Sequence, residues 1–314
     1  MLQKNGEGQA TALVFLNENR ICGFYPFLKR KIPARFCGDL NLIDLETPYG
    51  YGGPAVFTKE ADELKEMKKL HLEWCVSQGV VAEFIRFNPL ARDSLNFVEK
   101  NQLCLNRKTV SMNLLNGFSD ILENATAAKR RNFRKAQAAS LVYTDCSLEE
   151  FVPLYMATMK HIKAEDYYFF SIDYFNSLFK LSQHILSARA VRTESGTIAA
   201  AAVFLEDKCS RHYHLGASDQ EFLNLRPNDF LLFKAAEEAS LSGKEIMHLG
   251  GGLSLDESDS LFRFKKGFSG HLTAFYIGRI IHQPARYRKI SELWQRKTGG
   301  NPEILLHYHY GASL

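Results

Sequence analysis

A short apolar run that ends in three consecutive glycines constrains this chain more than any other feature of its 314 residues. Residues 246–249 are rich in aliphatic side chains and predict a buried strand that ends at a loop. The loop begins with Gly250, Gly251 and Gly252. Because glycine adopts backbone angles that other residues avoid, it also lets a ligand approach the main chain closely. The glycines therefore predict substrate contacts.

A short helix that is both aromatic and basic is predicted directly after this loop. Acidic and hydroxyl residues at 256–259 suit the start of a helix. Phe264 and Phe268 lie four residues apart, with Lys265 between them. A lysine packed among phenylalanines is partly desolvated, so its charge acts strongly on an anionic ligand or a developing oxyanion. The alternative is a packed helix whose lysines extend into solvent.

This arrangement of strand, glycine loop and helix resembles a known family. The sequence Phe-Arg-Phe-Lys-Lys-Gly-Phe at 262–268 is similar to the C-terminal signature of FemABX-like acyltransferases, a branch of the GNAT superfamily. The resemblance implies an α/β (α+β) fold of two tandem GNAT-like domains, with mixed sheets and a cleft between them. It also implies an enzyme that transfers an acyl or aminoacyl group to a primary amine, with Lys265 as the catalytic charge and Phe264 as its packing wall.

The order of the predicted elements divides the chain near Ser140. Residues 1–140 are expected to form the first GNAT-like domain and residues 141–282 the second, with a C-terminal helix and tail at 283–314. The clearest helix covers 58–78. Its predicted buried stripe consists of residues spaced by three and four, namely Ala61, Leu64, Met67, Leu70 and Trp74.

Composition is that of an ordinary soluble globular protein, with 46% hydrophobic and 24% charged residues and a net charge of +4. No run is long and apolar enough to span a membrane, so we expect a cytoplasmic protein and leave open peripheral contact with the inner membrane face. The six cysteines are dispersed without a Cys-x-x-Cys pair. This pattern argues against both a metal site and a disulfide framework.

A glycine-rich loop with tyrosines, residues 47–54, is a second candidate for substrate binding. Tyr49 and Tyr51 offer aromatic faces beside Gly52 and Gly53, although a purely structural turn is the alternative. The resemblance places a Gly-Pro loop here. Asn88 is a departure from the family, because cell-wall Fem enzymes tend to carry an aspartate of proposed catalytic role at this strand end, and an amide cannot take a proton.

Basic residues predict phosphate binding at two helices. Arg226 precedes a helix that starts near residue 227, and a helix N-terminus is a natural anion site. Arg130 and Arg134 share one face of a basic helix over 124–139. The resemblance favours a functional role for that helix. The Arg/Gln-x-x-Gly-x-Gly/Ala loop with which GNAT proteins hold coenzyme A is absent.

The main hypothesis is an N-acyltransferase that acts on a small-molecule, nucleotide-linked or lipid-linked amine of a cell-envelope precursor. The donor is aminoacyl-tRNA or acyl-CoA, with no tightly bound cofactor. His214 and Asp229 are the options for a general base, and neither is favoured. One alternative is an acyl-CoA-dependent GNAT acetyltransferase acting on a small amine or amino sugar. Another is a non-catalytic double-GNAT binding module.

Overall fold

A computed structural model describes residues 8–38, 41–302 and 304–309. The last five residues of the predicted tail, 310–314, lie outside this part. In chain order the strands are β1 (Gln9–Asn17), β2 (Arg20–Lys31), β3 (Ile43–Glu46), β4 (Ala55–Val56), β5 (Val80–Arg86), β6 (Leu103–Asn113), β7 (Val142–Asp145), β8 (Leu186–Arg192), β9 (Ile198–Glu206), β10 (Ser210–Ser218), β11 (Ile246–Gly251) and β12 (His271–Ile281).

The helices alternate with these strands along the chain. They are α1 (Ala34–Cys37), α2 (Ala61–Ser77), α3 (Gly117–Asn124), α4 (Ala127–Ala138), α5 (Leu148–His161), α6 (Ile172–Phe179), α7 (Pro227–Leu241), α8 (Ser260–Lys266) and α9 (Pro284–Thr298). No helix in the described part of the chain has the length and apolar character needed to cross a membrane. The predicted mixed α/β fold class is confirmed.

The chain forms two compact units. Residues 107–273 make up the continuous unit, and residues 2–106 together with 274–314 make up the split unit. The predicted boundary near Ser140 differs from this division, because Ser140 lies inside the continuous unit. The reason is packing: Phe133 of α4 shares a hydrophobic core with Phe230 of α7, so the basic helix is part of the continuous unit.

The split unit contains a mixed sheet with the strand order β1-β2-β3-β5-β12, and β4 pairs with β2. Apolar stretches at 12–16 and 21–28 predict the hairpin of β1 and β2, and the pair is antiparallel as expected. The pair β3 and β5 is parallel, and α2 crosses between these two strands. The helix α9 packs here through Ile290 and Trp294, which are buried with Phe36 of α1.

The buried face of α2 differs from the predicted stripe. Leu70 is 44% exposed, whereas Met67, His71 and Cys75 are buried. These three residues are four apart, so they line one face of the helix. The polar His71 and Cys75 occupy that face because they contact the buried carboxylate of Glu83, at 3.3 Å from His71 in the case of Glu83 Oε1. A hydrophobicity pattern does not anticipate such a polar contact.

The continuous unit contains a second mixed sheet, in the order β6-β11-β10-β9-β8-β7. Neighbouring strands in this order are antiparallel except β10 and β11, which are parallel and are connected through α7. Helix α7 supplies much of the core, including Phe230, Leu231 and Phe233. The strand before the glycines and the helix after them form as predicted, as β11 and α8.

Candidate functional site

The candidate site lies at the end of the parallel pair in the continuous unit. The register of this pair joins Ser210–His212 to 246–248, whereas β10 continues to Ser218 and β11 to Gly251. Pairing between the two strands therefore stops at His212 and His248 within the described residues. Beyond that point their ends meet α8. Side chains of β10 and α8 and the main chain of β11 contact one another there.

The glycine loop is held to α8 by the carboxylate of Asp259. One oxygen of Asp259 accepts a hydrogen bond from the main-chain nitrogen of Phe262 at 2.7 Å and so caps the helix. The other accepts from the nitrogen of Leu253 at 3.0 Å. A Cβ atom on Gly252 would lie 2.3 Å from Asp259 Oδ1. Glycine is therefore required at this position so that the carboxylate can reach both partners.

The other two glycines also have structural reasons. Gly250 has a φ of 77°, in the left-handed region that favours glycine. A Cβ atom on Gly251 would lie 2.8 Å from the carbonyl oxygen of Lys108. The space beside Gly251 and Gly252 is thus filled by protein atoms. Close packing explains these two glycines, and the predicted approach of a ligand stays a prediction.

Lys265 is the buried cation of this site. It is 8% exposed, and its Nζ donates a hydrogen bond to the carbonyl oxygen of Gly251 at 2.8 Å. The ring of Tyr213 lies 5.8 Å from the same Nζ. Burial, reinforced by the positive charge of Arg107, lowers the pKa of Lys265 from 10.5 to about 7. The ammonium and amine forms of this side chain are therefore nearly balanced at neutral pH.

Arg107 is a second cation at the glycine bend. Its guanidinium donates a hydrogen bond to the carbonyl oxygen of Gly252, one residue after the carbonyl that Lys265 contacts. Two positive side chains thus bind successive main-chain oxygens. The sequence analysis missed Arg107, because it lies in β6, far from the motif in sequence, and only the pairing of β6 with β11 brings it to the loop.

Two histidines form a neutral pair beside Lys265. His212 Nδ1 and His248 Nδ1 are 2.9 Å apart across the last paired residues of the parallel strands. Burial is the main cause that lowers both pKa values, that of His248 to about 3, and the charge of Lys265 adds to the effect. Since one nitrogen must donate and the other accept, the bond requires two different tautomers. The sequence analysis noted His212 but not His248.

The predicted wall residue and one base candidate lie elsewhere in the continuous unit. The ring of Phe264 faces Lys129, whose Nζ is 3.5 Å from its centroid, and it packs on Phe268. Asp229 forms a buried ion pair with Lys129 at 2.9 Å. These contacts bind α4, α7 and α8 together. We infer a structural role for Phe264 and Asp229 from them.

His214, the other candidate base, is bonded to a tyrosine. Its Nε2 lies 2.7 Å from the hydroxyl oxygen of Tyr174 in α6. Burial lowers the pKa of His214 to about 4, so its imidazole is neutral at physiological pH. The contact with Tyr174 fixes the ring, and a role in proton transfer stays a prediction.

The three arginines expected to bind phosphate have different surroundings. Arg226 is exposed, with a φ of 65°, directly before α7. Arg130 donates to the carbonyl oxygens of Glu123, at 3.1 Å, and Ala125, so it closes the end of α3. Arg134 is exposed on α4. Arg134 keeps the properties of an anion-binding residue, whereas Arg130 is engaged by the protein.

The tyrosine loop belongs to the split unit. Tyr51 packs edge-on against Phe275, with ring centroids 4.9 Å apart, and Tyr49 is half-buried. Gly52 donates its main-chain hydrogen to the carbonyl oxygen of Arg86 at 2.9 Å, and Gly53 has a φ of 80°. The loop is therefore fixed to the end of β5. Its role in substrate binding stays a prediction.

Comparison with a protein-family model confirms the resemblance suggested by the sequence. The model of the FemAB family matches residues 176–293, which include β11, α8 and the glycine loop. No curated protein sequence matches the chain. The family match implies that the chain is a transferase.

Solved structures with the same fold cover nearly the whole chain. A crystal structure of FemX matches with a TM-score of 0.71 and 14% identity, over 91% of this chain and 91% of that one. L-PGS from Bacillus licheniformis matches with a TM-score of 0.57 and 12% identity, over 91% and 93%. The C-terminal domain of a putative lysylphosphatidylglycerol synthetase from Agrobacterium fabrum matches with a TM-score of 0.56 and 13% identity, over 93% and 89%. At these identities the likeness establishes the fold.

Proposed function

We propose that this FemAB-like protein transfers an aminoacyl or acyl group to a primary amine of a cell-envelope precursor. The observation that carries the proposal is the buried Nζ of Lys265, which lies at the end of the glycine loop and donates to a neutral carbonyl oxygen. No carboxylate of the described residues lies within ion-pair distance of it. A charge in such surroundings acts strongly on a ligand that carries negative charge.

In the proposed reaction the acceptor amine attacks the carbonyl carbon of the donor. The carbonyl oxygen becomes an oxyanion, the bond to the donor's leaving oxygen or sulfur then breaks, and the amine nitrogen loses a proton to the leaving group or to water. Lys265 contributes a positive hydrogen-bond donor for the oxyanion. One of its three ammonium hydrogens is directed at the Gly251 carbonyl, which fixes the orientation of the other two.

The surroundings of two helices favour aminoacyl-tRNA over coenzyme A as the donor. Arg131, Arg134 and Lys135 are exposed on α4, and none of them forms an ion pair within the described part of the chain. Such a face suits a phosphate backbone. The first turn of α7 carries the carboxylate of Asp229, which weighs against a pyrophosphate at that helix start. Arg226 is our proposal for a single phosphate contact.

The acceptor is proposed to bind through Tyr49 and Tyr51, whose loop is fixed to β5. A cell-envelope amine is supported by the family match and by the names of two structural neighbours, which refer to lysylphosphatidylglycerol synthesis. The substrate class proposed here is an amine on a nucleotide-linked or lipid-linked precursor.

The experiment is a transfer assay with radiolabelled aminoacyl-tRNA or acyl-CoA as donor and a panel of amine-bearing envelope precursors as acceptors. We expect Lys265→Ala to lower the rate by about 10²–10³-fold, the loss typical of one removed oxyanion donor. The matched control is Lys266→Ala, because Lys266 is exposed and pairs with Glu257 at 3.1 Å. That variant should keep the wild-type rate.

Two outcomes would contradict this proposal. Lys265→Ala with an undiminished rate would remove Lys265 from the reaction. A wild-type protein that binds an acceptor yet transfers nothing from either donor would favour the binding module.

The donor is tested separately by RNA binding. Replacing Arg131, Arg134 and Lys135 by alanine should weaken tRNA binding about equally for all sequences. The slope of log affinity against log salt should become shallower by about one for each phosphate that the variant no longer binds. The control is Lys289→Ala on α9, which lies in the split unit. Unchanged tRNA affinity, together with activity on acyl-CoA, would favour the thioester donor.

A further inference from the structure

A buried cluster of metal-ligating side chains lies in the split unit, away from every residue assigned above. His71 and Cys75 lie one helical turn apart on α2, and Glu83 lies in the middle of β5. One ligand atom from each residue lies within 4.8 Å of the others. All three side chains are buried, and Glu83 and Cys75 have no exposed surface. Histidine, thiol and carboxylate in one place offer nitrogen, sulfur and oxygen ligands at once.

The distances within the cluster match those between ligands of a tetrahedral zinc ion. His71 Nε2 lies 3.3 Å from Glu83 Oε1 and 3.4 Å from Cys75 Sγ. Zinc–nitrogen and zinc–oxygen bonds of about 2.0–2.1 Å and zinc–sulfur bonds of about 2.3 Å place such atoms roughly 3.3–3.6 Å apart at tetrahedral angles. A direct N–H···O hydrogen bond favours about 2.9–3.0 Å, which is shorter than the contact to Glu83.

The carboxylate of Glu83 is itself held by further side chains. His282 Nε2 lies 2.9 Å from Glu83 Oε2, whereas His71 contacts the other oxygen, Oε1. Tyr25 donates its hydroxyl hydrogen to Glu83 Oε1 at 2.5 Å. Such outer contacts orient the ligands of metal sites and tune their affinity. The carboxylate cannot rotate away from α2 without breaking both contacts.

The geometry points to a zinc site formed by His71 Nε2, Cys75 Sγ and Glu83 Oε1, with His282 as the residue that orients the carboxylate. Zinc accepts this mixture of nitrogen, sulfur and oxygen ligands in tetrahedral sites. On binding, the thiol of Cys75 is deprotonated, the sulfur–metal bond forms, and the proton passes to solvent. Because the site joins α2 to β5 inside the core, its role is to stabilise the split unit.

This proposal is independent of the proposed transferase activity, since no residue is shared between the two sites. It is tested on the full chain carrying an affinity tag without histidines. We expect close to one equivalent of zinc per chain by elemental analysis of the purified protein. After replacement of zinc by cobalt, a thiolate-to-cobalt charge-transfer band and visible bands of tetrahedral cobalt should be present.

Variants identify the ligands. Cys75→Ser should abolish the thiolate-to-cobalt band, whereas the control Cys104→Ser, at a half-buried cysteine of the same unit, should keep it. His282→Ala should weaken metal binding by about 10–100-fold, as expected for an outer contact. If Cys75→Ser does not fold, the wild type still decides, because removing its metal with a chelator should lower the melting temperature and adding zinc should restore it.

Three results would overturn the proposal. A wild-type protein that takes up no stoichiometric zinc or cobalt would show that the cluster is held by hydrogen bonds alone. A cobalt spectrum without the thiolate band would exclude Cys75 as a ligand. An unchanged spectrum in Cys75→Ser would place the metal elsewhere in the chain.

Discussion

The continuous unit buries two lysines to the same extent but gives them different partners. Lys129 is 7% exposed and Lys265 is 8% exposed. Lys129 forms an ion pair with Asp229 at 2.9 Å and lies over the rings of two phenylalanines. Lys265 instead donates to the carbonyl oxygen of Gly251 and is repelled by Arg107. Burial lowers the pKa of both, and only for Lys129 does a carboxylate in contact oppose that shift.

The comparison teaches which buried lysine is available to a ligand. The charge of Lys129 is balanced within the protein, so it contributes to packing between α4, α7 and α8. The charge of Lys265 has a neutral hydrogen-bond acceptor, so an oxyanion from a substrate would improve its surroundings. A strongly shifted pKa without a matching carboxylate is more typical of functional sites than of structural ion pairs.

The largest effect is expected from breaking the Lys129 ion pair. Lys129→Met should lower the free energy of unfolding by about 3–5 kcal/mol, because Asp229 would be left buried and unpaired. Urea denaturation followed by circular dichroism measures this change. The control Lys135→Met, on the exposed face of the same helix, should shift stability by less than about 0.5 kcal/mol.

The double variant Lys129→Met/Asp229→Leu sharpens this prediction. Removing both charges should recover most of the lost stability, since no unpaired group would remain. A single Lys129→Met variant as stable as the wild type would show that the two lysines do not differ in the way described.

The second prediction uses the pH dependence of stability. Below about pH 7 Lys265 holds its proton in both the folded and the unfolded chain, whereas between about 7 and 10.5 only the unfolded chain holds it. Raising the pH through this window therefore stabilises the folded state, by at most about 1.4 kcal/mol per pH unit. Lys265→Met should remove this contribution, so the stability difference between variant and wild type should shrink steadily as pH rises.

The measurement is a series of denaturation curves between pH 6.5 and 9.5, which are about the limits set by the shifted and ordinary lysine pKa values. Lys266→Met, at the neighbouring exposed lysine, is the control and should follow the wild type at every pH. A parallel course of the Lys265→Met and wild-type curves would mean that Lys265 keeps an ordinary pKa in the folded protein.

Local elements were predictable from the sequence because they depend on neighbouring residues. The hairpin of β1 and β2, the strand before the three glycines and the short helix α8 all form as predicted. The buried face of α2 was not predicted correctly, because its burial is decided by Glu83 rather than by apolar side chains. The division into units differs from the expected one because Phe133 and Phe230 pack in one core.

The candidate site was predictable only in part. Lys265 was identified because its motif is contiguous in sequence. Arg107 and His248 were missed, since strand pairing alone brings them to the loop and to His212. The roles of Phe264 and Asp229 were also beyond the reach of the pattern, because both depend on Lys129, which the sequence presents as one more residue of a basic helix.

The third prediction tests the loop that holds Lys265. Gly252→Ala should lower stability by about 1–3 kcal/mol, because the new Cβ would lie 2.3 Å from Asp259 Oδ1 and displace the helix cap. Gly270→Ala is the matched control, since no atom lies within 4 Å of the position its Cβ would take. If both variants were equally stable, Asp259 would have to reach its partners by another route.

The smallest effects are expected on α4, where two arginines repeat the contrast between the two lysines. Arg130→Ala should cost about 1 kcal/mol, because the carbonyl oxygens of Glu123 and Ala125 lose a charged donor. Arg134→Ala should leave the melting temperature nearly unchanged, because Arg134 is exposed, and should instead weaken tRNA binding. Thermal denaturation and a filter-binding assay with tRNA separate the two effects. A loss of tRNA affinity in Arg130→Ala without any loss of stability would reverse the assignment, because the engaged arginine would then be the one that meets the ligand.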